Sequence, residues 1–84
     1  ADAAALVIDK IEDQLEFLVE EKKIKNLVLK VHPFVEAYLK KGFWSLRRKW
    51  AFKHHIHLKV VGVPSFYIYE YKFFNRFNRE IEPE

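Results

Sequence analysis

Between Glu36 and Glu70 the chain runs for 33 residues without a single carboxylate. Lys40, Lys41, Arg47, Arg48, Lys49, Lys53 and Lys59 lie within that run, and Phe43, Trp44, Trp50 and Phe52 are interleaved with them. Cations in such a run can hold phosphate oxygens without reading bases, and rings among them offer faces on which unpaired bases stack. The flanks carry the opposite sign. Residues 1–36 set eight acids against five lysines, and residues 70–84 set four acids against three bases. The net charge of +3 therefore hides a strongly basic centre between two mildly acidic ends. This asymmetry points to a polyanionic partner, RNA or DNA before others. The bland alternative is a solvated basic face on a small domain.

Other chemistries find less material. His55 and His57, on alternate positions of a strand, would share a face, with His54 beside them. Three histidines without a neighbouring carboxylate or thiol read better as a polar patch at a helix-to-strand junction than as a metal site. His32, just before Pro33, reads as a helix-entry residue, since no Ser, Cys or paired acid accompanies it. Glu12 with Glu16, and Glu80 with Glu82, are the close carboxylate pairs, and both fall on solvated faces. No catalytic and no metal-binding residue is assigned. The absence of Cys removes disulfides and thiolate zinc sites, and hints at a reducing compartment. No apolar run approaches the roughly 18 residues of a membrane span, and no signal peptide is legible, so a cytoplasmic location is expected.

The elements that must position these residues follow from periodicity. Asp9 and Glu12 form a capping-box pattern before an apolar stripe at Ile11, Leu15, Leu18 and Val19, which predicts a helix over about 10–23. Residues 1–8 are expected to be a tail or linker and 9–82 one small domain, although the Ala run favours a backward extension of the helix over 3–8, where Leu6-Val7-Ile8 is ambiguous. The missing Met at position 1 suggests an excerpt of a longer chain. Leu27, Leu29 and Val31 alternate as in a half-buried strand that Pro33 stops. Pro33 to Lys41 predicts a short helix with Val35, Tyr38 and Leu39 inward and Gly42 at its end. Ser45 caps a second, basic helix from Leu46 to about Lys53. Ile56, Leu58 and Val60 form another strand, ending at Pro64. Phe66 to Phe74 predicts a long strand with Tyr67, Tyr69, Tyr71 and Phe73 on one face, and 79–82 a short return. The fold class is α+β: a three- or four-stranded, mostly antiparallel or mixed sheet on about three helices.

The segment His32-Pro33-Phe34-Val35-Glu36-Ala37-Tyr38-Leu39-Lys40-Lys41-Gly42, followed by Ser45-Leu46-Arg47-Arg48-Lys49-Trp50, resembles the C-terminal small domain of the ribonuclease E/G family. The likeness extends from about Asp9 to Ile81 and is strongest to the shorter, ribonuclease G-like members. It implies a parent endoribonuclease that cleaves single-stranded, AU-rich RNA and matures ribosomal RNA with Mg²⁺, and whose catalytic carboxylates and Cys-based zinc link precede the small domain. None of the parent's catalytic or metal residues matches a position here, so no cofactor is expected in this piece. For the small domain it implies subunit assembly, hence a homo-oligomer, and the guiding of RNA. Asn78 stands where family members often carry Gly, a departure at a turn that wants positive φ.

Eight Phe, four Tyr and two Trp are many rings for a chain this short, which buries only about 60% of its unfolded surface. Trp50 is assigned to the core. Phe43, Trp44, Tyr67, Tyr69 and Tyr71 are candidates for base stacking or for an interface between subunits. A protein-interaction module without any RNA role is the alternative reading.

Overall fold

The computed structural model describes residues 3–82. Its first element, α1, spans Ala3–Glu20. Ala4, Val7, Ile8, Ile11, Leu15 and Leu18 recur at three- and four-residue spacing and are all buried. The apolar stripe thus reaches back past the Asp9–Glu12 pattern, and residues 3–8 are its opening turns, the backward extension that the Ala run favours. Burial of that stripe outweighs a capping signal that lies mid-helix. The helix ends earlier than expected because Lys23 adopts φ 59°, which lets the Ile24 N–H return to the Leu18 carbonyl at 3.2 Å.

Strand β1 (Asn26–Val31) leads into helix α2 (Pro33–Lys40), then α3 (Leu46–His54), and back through β2 (His57–Gly62). Pro33 supplies a first helical residue with no N–H to satisfy, and His32 Nδ1 accepts from the Phe34 N–H at 3.0 Å. Ser45 Oγ does the same for the Arg48 N–H at 3.2 Å. The crossover brings β2 alongside β1 in parallel, with Leu27 opposite Leu58 and Leu29 opposite Val60. At Gly62 the first turn of α2 packs so close that a Cβ would run into Glu36 Oε1 and stand 3.1 Å from Pro33 Cα. Strands β3 (Tyr71–Phe74) and β4 (Glu80–Ile81) add on the other side of β1, both antiparallel, giving the order β2-β1-β3-β4. The fold is α+β, with a four-stranded mixed sheet and three helices.

Two expectations need correction. The third strand is four residues long, because its partner β1 stops at Val31, opposite Tyr71, where the chain turns into His32-Pro33. Residues before Tyr71 have no ladder to join. They form turns instead, closed by Phe66 N–H to the Val63 carbonyl and Glu70 N–H to the Tyr67 carbonyl, both at 3.0 Å. Tyr67 and Tyr69 are therefore off the sheet and do not form a row with Tyr71 and Phe73. Tyr38, expected inward, is exposed; Val35 and Leu39 alone bury the inner stripe of α2. At the last turn Asn78 takes φ 63°, meeting in an asparagine the conformation for which glycine is the easier choice.

The core lies on one side of the sheet. Leu27, Leu29 and Val31 of β1, Leu58 and Val60 of β2, and Phe73 of β3 face all three helices, sealed by Ile11, Leu15, Leu18, Val35, Leu39 and Trp50. Each such aliphatic side chain contributes about 1.5–3 kcal/mol of transfer free energy. The opposite face, carrying Val28, Lys30, Lys59, Lys72 and Phe74, has no helix upon it among the described residues.

Candidate nucleic-acid interface

The α2–α3 connection builds the first basic surface. Gly42 at φ 82° turns the chain out of α2, and Phe43 and Trp44 are left 85% and 52% exposed. The Arg48 guanidinium stands over the Phe43 ring, 5.3 Å from its centroid. Trp44 meets Phe52 edge-on at 6.0 Å, and Phe52 meets His55 at 6.4 Å. Arg48, Phe52 and His55 follow the i, i+4, i+7 stripe of one helix flank. Lys49 is exposed at the helix position after Arg48, and Lys41, exposed where the chain leaves α2, borders a hollow with Phe34, Ala37 and Tyr38. The result is a ridge of cations and rings open to solvent.

The other predicted cations have different surroundings. Lys40 Nζ is 2.8 Å from Glu36 Oε2, and Lys53 Nζ is 3.9 Å from Glu12 Oε2, so each has a carboxylate beside it. Arg47 is half-buried and donates to the Leu58 carbonyl at 2.9 Å, clasping the outer edge of β2. Lys59 lies on the uncovered face of the sheet, away from the ridge. Tyr67 sits exposed in a turn, and Tyr69 and Tyr71 border a hollow with Leu6, Val7 and Lys10 of α1. Tyr71 packs edge-on against Phe73 at 6.1 Å; burial, with the Asp13 carboxylate adding to it, pushes the Tyr71 hydroxyl above the usual tyrosine value. The histidines part company: His54 is buried with no partner for Nε2 among the described residues, His55 ends α3 at φ 56°, and His57 is on the outer face of β2.

A second basic surface joins the expected Lys59 and Arg47 to residues that were not expected. On the uncovered face, Lys30 stands opposite Lys72, and Val28 stands between Lys59 and Phe74. Lys30 Nζ lies 4.1 Å from the Phe74 ring centroid and 3.3 Å from Asn78 Oδ1. Lys72 Nζ lies 5.7 Å from the Phe66 ring centroid. Arg76, from the β3–β4 turn, borders an open depression of about 370 Å³ together with Asn26, His57, Lys59 and Arg47. Lys30, Lys72, Phe74 and Arg76 all fall outside the acid-free run. Alternation in β1 places Lys30 outward, but its meeting with Lys72 depends on a strand pairing between distant segments.

The arrangement can hold phosphates and stack bases. Glu12 and Glu16 project from the solvated side of α1, and among the described residues no three His, Asp or Glu side chains gather as a metal-binding group. No helix among those residues is long and apolar enough to cross a membrane. No family model, no curated protein and no solved structure matches the chain.

Proposed function

We propose that this chain is an RNA-handling and assembly domain, the C-terminal small domain of a ribonuclease E/G-like, cytoplasmic endoribonuclease, with no chemistry of its own. The observation that carries the RNA part is the ridge of Lys41, Phe43, Trp44, Arg48, Lys49 and Phe52. Cations and rings there are exposed together, while Arg47 and the buried Trp50 turn the other way. Single-stranded RNA fits such a ridge, because phosphates find unpaired cations and unpaired bases find rings. The resemblance over Asp9 to Ile81 supports the family assignment: its Val-His-Pro, Ser-capped basic helix and Val-Pro fall at the end of β1, the start of α3 and the end of β2. Zinc and magnesium belong, on this reading, to the parent enzyme. The assembly part is supported by Tyr69 and Leu6, both exposed and bordering one hollow against the first turns of α1, with Tyr67 exposed in the preceding turn.

Anisotropy titration with a labelled AU-rich single strand tests the reading. Binding should weaken with salt at a log–log slope of about −0.7 per phosphate held, and replacing Arg48 and Lys49 by Gln should flatten that slope by about 1.4. The RNA should remain uncut in the presence of Mg²⁺. Absence of binding at low salt, or saturable cleavage that survives further purification, would overturn it.

A further inference from the structure

We propose that the uncovered sheet face is a track for single-stranded RNA, on which Phe74 stacks a base while Lys30, Lys59, Lys72 and Arg76 hold the flanking phosphates. The inference rests on the RNA-binding reading above and names a second surface for it. Four observations lead there. Lys30 and Lys72 are direct cross-strand partners, and like charges so placed destabilise a sheet. Glu70, 4.0 Å from Lys72, and Asn78 Oδ1, 3.3 Å from Lys30, offset them in part. An anion bound beside either ammonium group would offset that repulsion, so the pair makes sense as part of a site.

The ring beside them, Phe74, is half-buried. Phe74 has a lysine ammonium over its face, a contact worth about 0.5–1 kcal/mol when exposed. Stacking of a base is worth roughly 1–3 kcal/mol, so a base displaces the ammonium, which is then free to meet a phosphate. Thirdly, the charge is one-sided. Acids on this face are Glu80, opposite Phe74 on the β4 edge, and Glu70 at the turn. Towards β2 none lines the open depression among the described residues, which Lys59, His57, Arg47 and Arg76 border. The track therefore runs from β3 across β1 to the β2 edge, and β4 bounds it.

Lastly, the face is shallow and its ring needs an unpaired base, since base faces in a duplex are already stacked. A second copy of the same surface would oppose lysines to lysines. An acidic peptide would satisfy the cations but has no use for the ring.

The test separates these cases. Wild type, Phe74→Leu, the pair Lys30→Gln with Lys72→Gln, and the ridge pair Arg48→Gln with Lys49→Gln are titrated with an unstructured RNA of roughly ten nucleotides, at salt from about 50 to 200 mM. Leu keeps the apolar bulk of position 74 and removes the π-face, and thermal melting verifies each fold. Phe74→Leu should weaken binding about five- to 100-fold, and the lysine pair should flatten the salt slope by about 1.4 without lowering the melting temperature. Undiminished affinity in both sheet variants, with loss in the ridge pair, overturns the track and leaves the RNA reading intact. Absence of RNA binding by the wild type overturns both. Equal loss of RNA and of a poly-glutamate peptide in the lysine pair, with Phe74→Leu neutral, assigns the face to an acidic protein and overturns the track.

Discussion

Leu29 and Lys30 are neighbours in the chain, yet Leu29 is sealed between the sheet and three helices while Lys30 stands on a surface with no layer above it. The same six-residue strand serves both sides, and the two sides obey different physics. On the inner side, identity is set by volume and apolarity: Leu27, Leu29 and Val31 meet Leu58, Val60 and Phe73 with no polar atom among their side chains. On the outer side, packing asks little, and a buried-looking position can hold a lysine opposite another lysine. A fold of this size needs only one packed side. That leaves the other free to carry charge that folding itself does not favour.

The comparison breaks most readily at the paired positions 28 and 29. Leu29→Ala opens a cavity in a closed core and should cost about 2–5 kcal/mol. For a chain of this length that is a large share of a total of roughly 4–13 kcal/mol. Val28→Ala, one residue away on the outer face, should cost about 1 kcal/mol or less. Urea denaturation of the two variants gives the answer, and comparable losses would mean that both faces of β1 are packed.

A smaller effect separates two nearby cations of α3. Arg47→Ala removes a charged donor from the Leu58 carbonyl at the edge of β2 and should cost about 1–2 kcal/mol. Lys49→Ala, exposed two residues on, should leave stability within about 0.5 kcal/mol and weaken RNA binding instead. If Lys49→Ala destabilises as Arg47→Ala does, the division of the helix into an anchoring flank and a binding ridge fails.

How much of this was legible varies with how local the cause is. The strands β1 and β2, the Pro33 helix and the Ser45 cap follow from signals within a few residues, and the α+β class follows from their order. The start of α1 was obscured by a capping pattern at Asp9 that competes with a stripe running back to Ala4. The long aromatic strand was misread because alternation from Tyr67 to Phe73 is real, while a ladder partner for it is missing: β1 ends at Val31. No local pattern reports the length of the partner. The ridge was visible as charge and rings in one run. The uncovered face was not, since Lys30, Lys72 and Arg76 become neighbours only through the antiparallel register of β1 and β3, set by packing on the other side of the sheet.

The smallest expected effect lies at the rim of the inner face. Tyr71 points inward beside Phe73, and partial burial, with the Asp13 carboxylate nearby, raises its hydroxyl above the ordinary value near pH 10. A folded-state value raised above the unfolded one means that the unfolded chain releases the proton first. Whatever Tyr71 contributes to stability is therefore fully present below about pH 10 and declines as pH rises through the folded-state value. Wild type should lose stability to urea between about pH 9 and pH 11 by more than Tyr71→Phe does, because the phenyl ring keeps the contact with Phe73 and has nothing to ionise. The tyrosinate absorbance of the wild type minus that of the variant should in turn rise with a midpoint above the ordinary one. An identical alkaline loss in both proteins would detach the effect from Tyr71. It would also place the hydroxyl in contact with water on both sides of the folding transition, and the inner face would then be open at β3, where the packing of α1 closes it.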